Sequence, residues 1–419
     1  MVFLPLIFFG ILLIISVRKK GMDLGGFAIL CFVVTSFFAI YLHNMPSAAT
    51  LDNYNKMNPS FVPTLVYCCL IGLELQCFYR LNTNQKKAFA TIKNVDFFNK
   101  ITYLYIFMFF FLLVFLYKDI FNGILQGNLG DYRAEVNKGE MENAFTRQNS
   151  FVGKFIGYGA ATIGAGSTYM IPFFFYSLCF TKNKMYHNIL ILISSLSCII
   201  LGIIDADRSS SLLWGMMFVM SFFLFRPYID NHSRKVIKKC FFFIGGLLFV
   251  YFLSMSISRF VNSNMGVDGS ILSYIGQSYL NFCNVWDNVE IIDVTTYRLF
   301  PVINKFWLNT DPETHKMIVR SSSYIRLNGF YSYIGMWFLD TGKWIMFFIS
   351  LCVTLITNCV IKRVRLQKIF SFKYIMYIYM LAIIPVFGCI AYYYKNYAVV
   401  MNLFLMIYLI NKIKINKIL

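Results

Sequence analysis

The sequence predicts an all-α, polytopic membrane protein. Three observations carry that expectation. Of 419 residues, 58% are hydrophobic and 14% charged, whereas soluble domains carry about 25% charged residues. The mean hydropathy is +0.62. Apolar runs of about 20 residues recur along the whole chain, each long enough to cross ~30 Å of hydrocarbon. A transmembrane barrel would instead show alternating segments of roughly ten residues.

About eleven spans are expected, at 2–17, 24–43, 61–79, 101–118, 155–180, 188–204, 211–226, 240–257, 344–361, 374–393 and 397–411. The first does not read as a cleaved signal. Arg18, Lys19 and Lys20 follow its apolar run instead of preceding it, and no small-residue cleavage site comes after.

Lysine and arginine in the short connectors set the orientation. One set of connectors carries Arg18, Lys19 and Lys20; Arg80, Lys86, Lys87, Lys93 and Lys100; Lys182 and Lys184; Arg226, Arg234, Lys235, Lys238 and Lys239; Lys362, Arg363, Arg365, Lys368 and Lys373; and Lys412, Lys414 and Lys417. Only Asp23, Asp96 and Asp230 oppose them there. On the other face, cations and acids balance. The basic face is expected to be cytoplasmic, with the N-terminus outside and the C-terminus inside. In a soluble protein the net charge of +19 would point to nucleic acid; its placement here points to membrane topology, with no nucleic-acid partner.

Three segments follow. Residues 1–257 hold the first eight spans, 258–343 form a long extracytoplasmic loop, and 344–419 hold the last three spans. Shorter outer loops fall at 44–60 and 119–154. The long loop exceeds an ordinary connector, and loops of that size are functional or disordered. Its composition argues against disorder. In ILSYIGQSYLNFCNVW, residues 271–286, Ile271, Tyr274, Ile275, Leu280 and Phe282 recur near the helical period. That piece is expected to lie flat at the membrane interface, with Trp286 and Trp307 at headgroup depth.

The fifth span carries Gly157, Gly159, Ala160, Gly164 and Gly166, then Pro172. Small residues permit close helix packing, and Gly/Pro interruptions can open a span beside a cavity. The glycines are not a nucleotide fingerprint, since no strand precedes them. All cysteines except Cys283 lie in or beside apolar spans, so neither a disulfide framework nor a zinc site is expected.

Four constellations could carry chemistry. In IIDADRSSSLLWG, residues 203–215, Arg208 stands between two helix ends at the outer boundary. A guanidinium there can grip phosphate bidentately, and the N–H groups opening the next helix favour the same anion. The alternative is an ordinary polar turn, with Arg208 paired to Asp205 or Asp207. The long loop keeps Arg259, Arg298, Lys305, Lys316, Arg320 and Arg326 on the face that otherwise avoids cations. Either a function holds them there, or they are solvated and balanced by Asp287, Glu290, Asp293, Asp311 and Glu313. His315 and Asp340 are candidate general bases, Asp340 being equally suited to cap the ninth span. Glu74, inside the third span, is a functional candidate by position or a local partner of Arg80. No Walker, HExxH or GxSxG motif occurs, and no cofactor or metal is expected.

Many spans, a DR-S-S turn heading a late span, one very long outer loop, and a segment from Asn328 to Asp340-Thr341-Gly342 closing it resemble the bacterial oligosaccharide repeat-unit polymerases of the Wzy type. DYRAE at 131–135 and SYLNF at 278–282 also look like family segments. The resemblance implies a GT-C-like membrane glycosyltransferase of the bacterial inner membrane. It would transfer a growing glycan from undecaprenyl diphosphate to a newly flipped lipid-linked repeat unit, building O-antigen or capsular polysaccharide outside that membrane. A chain-length regulator and a flippase would be its partners. Carried over, Arg208, Arg320, Asp340 and His315 would be catalytic, and Arg133, Arg259, Arg298, Arg326, Tyr279 and Asn281 would bind diphosphate and sugar. A flippase of lipid-linked oligosaccharides and an O-antigen ligase are the competing readings. Repeats and short loops would favour the flippase; the ligase would share most of these residues.

Overall fold

The computed structural model describes residues 1–44, 54, 57–117, 151–181, 183–204, 207, 209–260, 266–291, 298–308, 319–321, 330–367 and 369–416. Among these the chain is almost entirely helical. Seven helices are long and apolar enough to cross a membrane: Leu24–His43, Phe61–Tyr79, Val95–Phe115, Met185–Ile204, Ser209–Tyr228, Asn231–Ser254 and Tyr333–Leu366. A bent pair, Gly157–Ala165 and Ser167–Phe180, makes an eighth if counted as one span. Leu4–Lys20, Phe372–Gly388 and Tyr397–Lys412 are apolar helices of 17, 17 and 16 residues, at or just below the roughly 17–25 that a span needs. The chain is therefore a multi-pass, membrane-embedded protein. On Asn231–Phe260, Phe242, Phe243, Phe249 and Val250 are exposed, side chains that hydrocarbon would cover.

Local chemistry starts and stops these helices. Pro5 sits in the first turn of Leu4–Lys20, where its missing N–H costs nothing. Gly21, at φ 69°, ends that helix. Asp23 then opens the next, accepting from the Gly26 amide at 2.9 Å. Burial pushes the Asp23 carboxyl above its ordinary value. Ser332 caps Tyr333–Leu366. This helix begins well upstream of residue 344 and breaks at Gly342, whose φ of 73° only glycine adopts freely. Asp340 accordingly lies within a helix, two residues before a break, and does not cap the ninth span.

The chain forms two compact units. The first comprises Met1–Gln85, Ser263–Lys368 and Tyr377–Val400. At its centre the Gly266–Asn288 helix lies against Leu24–His43. Gly276 marks the crossing: a Cβ there would fall 2.6 Å from the Phe38 carbonyl. Tyr67 packs on Phe9, Tyr279 and Phe282. Leu280, Phe282 and Val285 are fully buried. The stretch 271–286 is thus a packed core helix and not a strip lying flat on a surface. Period alone cannot separate the two, because both need an apolar face. Trp286 is buried against Phe338, whereas Trp307 is 74% exposed. Cys283, expected in an aqueous loop, is buried, and all eleven cysteines are free thiols.

The second unit comprises Lys86–Asn262, Ile369–Met376 and Met401–Leu419. Strand Ala88–Ala90 pairs in parallel with Ile369–Ser371. Beside them Phe98, Phe173, Tyr176 and Phe372 form an aromatic core. The fifth span bends by 46° beside Gly166, not at Pro172. Gly166 leaves room for Asn402, whose side chain exchanges hydrogen bonds with Tyr105 at 2.8 and 3.1 Å. Gly164 sits between Leu112 and Leu201.

Candidate functional site

Within the first unit, Asp340 and Arg298 form a buried ion pair. Arg298 Nη1 donates to Asp340 Oδ1 at 3.0 Å. The Arg298 and Leu299 amides donate to Asp340 Oδ2 at 2.5 and 2.7 Å. Asp340 is fully buried and Arg298 is 5% exposed. A carboxylate that accepts three donors is well placed to hold an arginine and poorly placed to take a proton from a hydroxyl. The geometry makes Asp340 a positioning residue for Arg298.

A strip of polar side chains runs along the same helix face. Tyr333, Trp337 and Asp340 recur at helical spacing, and the Tyr333 and Trp337 rings stand 5.0 Å apart, edge to face. Tyr392 packs edge-on to Trp337 at 5.7 Å. Glu74 lies beside the Tyr333 hydroxyl, but neither carboxylate oxygen completes a hydrogen bond of good geometry. Arg80, expected as its partner, donates to Asn358 at 3.3 Å instead. Sequence reasoning singled out Glu74 and Asp340 but missed Tyr333, Trp337 and Tyr392. The YIGMWFLD spacing was the available signal.

The other expected residues are placed as follows. Tyr279 shares a 2.8 Å hydrogen bond with Thr64. Asn281 donates to Gln277 at 3.2 Å and to the Phe330 carbonyl at 2.9 Å. Tyr279 ties its helix to Phe61–Tyr79, and the Asn281 amide N–H groups are engaged within their own helix and at the Phe330 backbone. Arg320 lies on strand Val319–Ser321, in register with Glu290 of the antiparallel Val289–Ile291. Arg259 belongs to the last turn of Asn231–Phe260, in the second unit. Arg133, Arg208, His315 and Arg326 lie outside the described residues. Asp207 is described: it accepts from the Ser209 amide at 3.0 Å and from the Ser209 hydroxyl, closing the first turn of Ser209–Phe225. Both its oxygens serve that turn. Among the described residues, no group of three His, Cys, Asp or Glu side chains could hold an ion.

No protein-family model matches the chain, and no curated protein or solved structure does.

Proposed function

We propose that this protein is a lipid-linked oligosaccharide polymerase, joining undecaprenyl-diphosphate-borne repeat units on the outer face of the bacterial inner membrane. In this reading the chain has eleven spans, an outside N-terminus and a GT-C-like arrangement. The observation that carries it is the buried Arg298 held by Asp340. An arginine kept out of water, and fixed by a carboxylate, sits in the segment that the charge pattern assigns to the outer face.

The reaction needs such a group. As the glycosidic bond breaks, negative charge builds on the departing lipid diphosphate. A preorganised guanidinium in a low-dielectric site stabilises that charge, and one such contact contributes about 3 kcal/mol. A base removing the acceptor hydroxyl's proton adds roughly 10²–10⁴-fold; His315 is assigned that role, because Asp340 is engaged. The diphosphate already carries the driving force, so no nucleotide is required. Arg208 and Arg320 carry over from the resemblance as further catalytic arginines.

The test is gel and mass analysis of lipid-linked glycans in cells whose only copy is Arg298→Ala, Arg208→Ala or Arg320→Ala. Single-repeat lipid product with no long chains is expected. Normal long chains from all three variants would overturn the reading. Glu74 favours one competitor: a carboxyl buried in a span without a cation is a feature of ion-coupled transporters. For a flippase, deletion would abolish outer-face repeat units instead of leaving single ones.

A further inference from the structure

The first unit carries a groove of about 510 Å³ between the Leu4–Lys20 and Phe61–Tyr79 helices. Its size falls within the roughly 300–1,000 Å³ of small-molecule sites. Phe8, Leu12 and Ile15 form one wall; Cys69, Gly72 and Leu73 form the other. At one end the lining turns polar, with Gln76, Tyr79 and Lys19. The two helices end together there, since the Lys20 ammonium donates to the Tyr79 carbonyl and stands 4.2 Å from the Tyr79 ring.

That end concentrates positive charge. Lys19 and Lys20 stand there, and Arg365 is close enough to act on Lys20, as is Asp23. Asp23 is itself buried and engaged at the Gly26 amide. The dimensions also fit one leaflet. From Phe8 to Lys19 a helix rises about 16 Å at ~1.5 Å per residue, and half of a ~30 Å hydrocarbon core is about 15 Å.

We infer that this groove binds an anionic phospholipid, one acyl chain along Phe8, Leu12, Ile15 and Leu73 and the phosphate at Lys19. Basic sites between transmembrane helices recognise lipid headgroups in this way. The inference rests on the membrane-embedded fold and not on the polymerase reading. Its outcome is a lipid count, so its failure leaves the glycan assay untouched.

The experiment is native mass spectrometry of the purified full-length protein, released from micelles containing equal dioleoyl phosphatidylglycerol and dioleoyl phosphatidylcholine. Wild type should retain phosphatidylglycerol in preference. Lys19→Gln should weaken that retention about five-fold, the equivalent of the ~1 kcal/mol that one basic side chain near an anionic surface contributes. Cys69→Trp, which fills the groove from an exposed position, should lower retention of both lipids. Lys184→Gln, in the second unit, should match wild type. Equal retention of the two lipids by wild type, or wild-type retention in both Lys19→Gln and Cys69→Trp, would overturn the inference. So would protein dimers in place of lipid adducts.

Discussion

The Asp340 carboxylate is gripped from one side by a single residue and its neighbour. Arg298 supplies both a guanidinium N–H at 3.0 Å and its own amide at 2.5 Å, and Leu299 adds a third donor at 2.7 Å. Asp340 thereby pins the backbone of the 298–299 turn as well as the charge. Removing either partner leaves the other buried and uncompensated, which costs about 3–5 kcal/mol. Asp340→Ala is therefore expected to lower the midpoint of thermal unfolding, measured by loss of the monodisperse peak on heating. The double variant Arg298→Met/Asp340→Leu should recover much of that loss, since apolar replacement of a buried pair is often neutral. Polymer formation should stay absent in the double variant. Recovery of both stability and long chains would make the pair purely structural.

Gly342 adopts φ 73° and ψ −179°, a region essentially confined to glycine. It breaks the Tyr333–Leu366 helix two residues after Asp340. Gly342→Ala should destabilise by about 1–3 kcal/mol. The loss should be larger than that of Gly245→Ala, where no neighbour lies within 4 Å of an added Cβ. Thermal unfolding of the two variants side by side checks this.

How much of this was legible in the sequence depended on the range of the interaction. The apolar helices were readable because hydrophobic length is a local property; seven of them are long enough to cross a membrane. Asp340 and Arg298 were each singled out, but their pairing was not, because they lie 42 residues apart in sequence and no local pattern joins them. Gly342 was read as part of a closing motif. Its positive φ is a tertiary outcome that no neighbouring residue announces. Tyr279 and Asn281 entered as sugar contacts through the resemblance of SYLNF, residues 278–282, to a family segment. Their hydrogen bonds to Thr64, Gln277 and Phe330 show that the same chemistry serves internal packing.

Gly166 and Asn402 make a second glycine prediction, in the other unit. An added Cβ at Gly166 would fall 2.1 Å from Asn402 Cγ. Asn402 is fully buried and tied to Tyr105, so it cannot swing away without stranding both polar groups. Gly166→Ala should cost about 1–3 kcal/mol as an overpacking change. Gly166→Ala/Asn402→Ala should be less destabilised than the sum of the single changes, because residues in contact couple by about 0.5–3 kcal/mol. A double-mutant cycle on unfolding midpoints measures the coupling, and strict additivity would mean that the two do not touch.

Glu74 separates the polymerase from its competitor. Its carboxyl is buried with neither oxygen in a well-formed hydrogen bond, and Arg80 is engaged with Asn358. In the polymerase reading the chemistry lies with Arg298 and the outer-face cations, and Glu74 has no part in it. Glu74→Gln keeps the shape and the hydrogen-bonding capacity of the side chain while removing any charge. It should preserve the long-chain glycan profile and leave the unfolding midpoint within the range of a mild core substitution, about 1 kcal/mol. A transporter coupled to ion movement would behave otherwise, because an intramembrane carboxyl in such a protein carries the coupling. Glu74→Gln would then abolish outer-face repeat units while protein abundance stayed normal. Measuring glycan length and outer-face repeat-unit level in the same cells distinguishes the two, since only the transporter loses single units as well as chains.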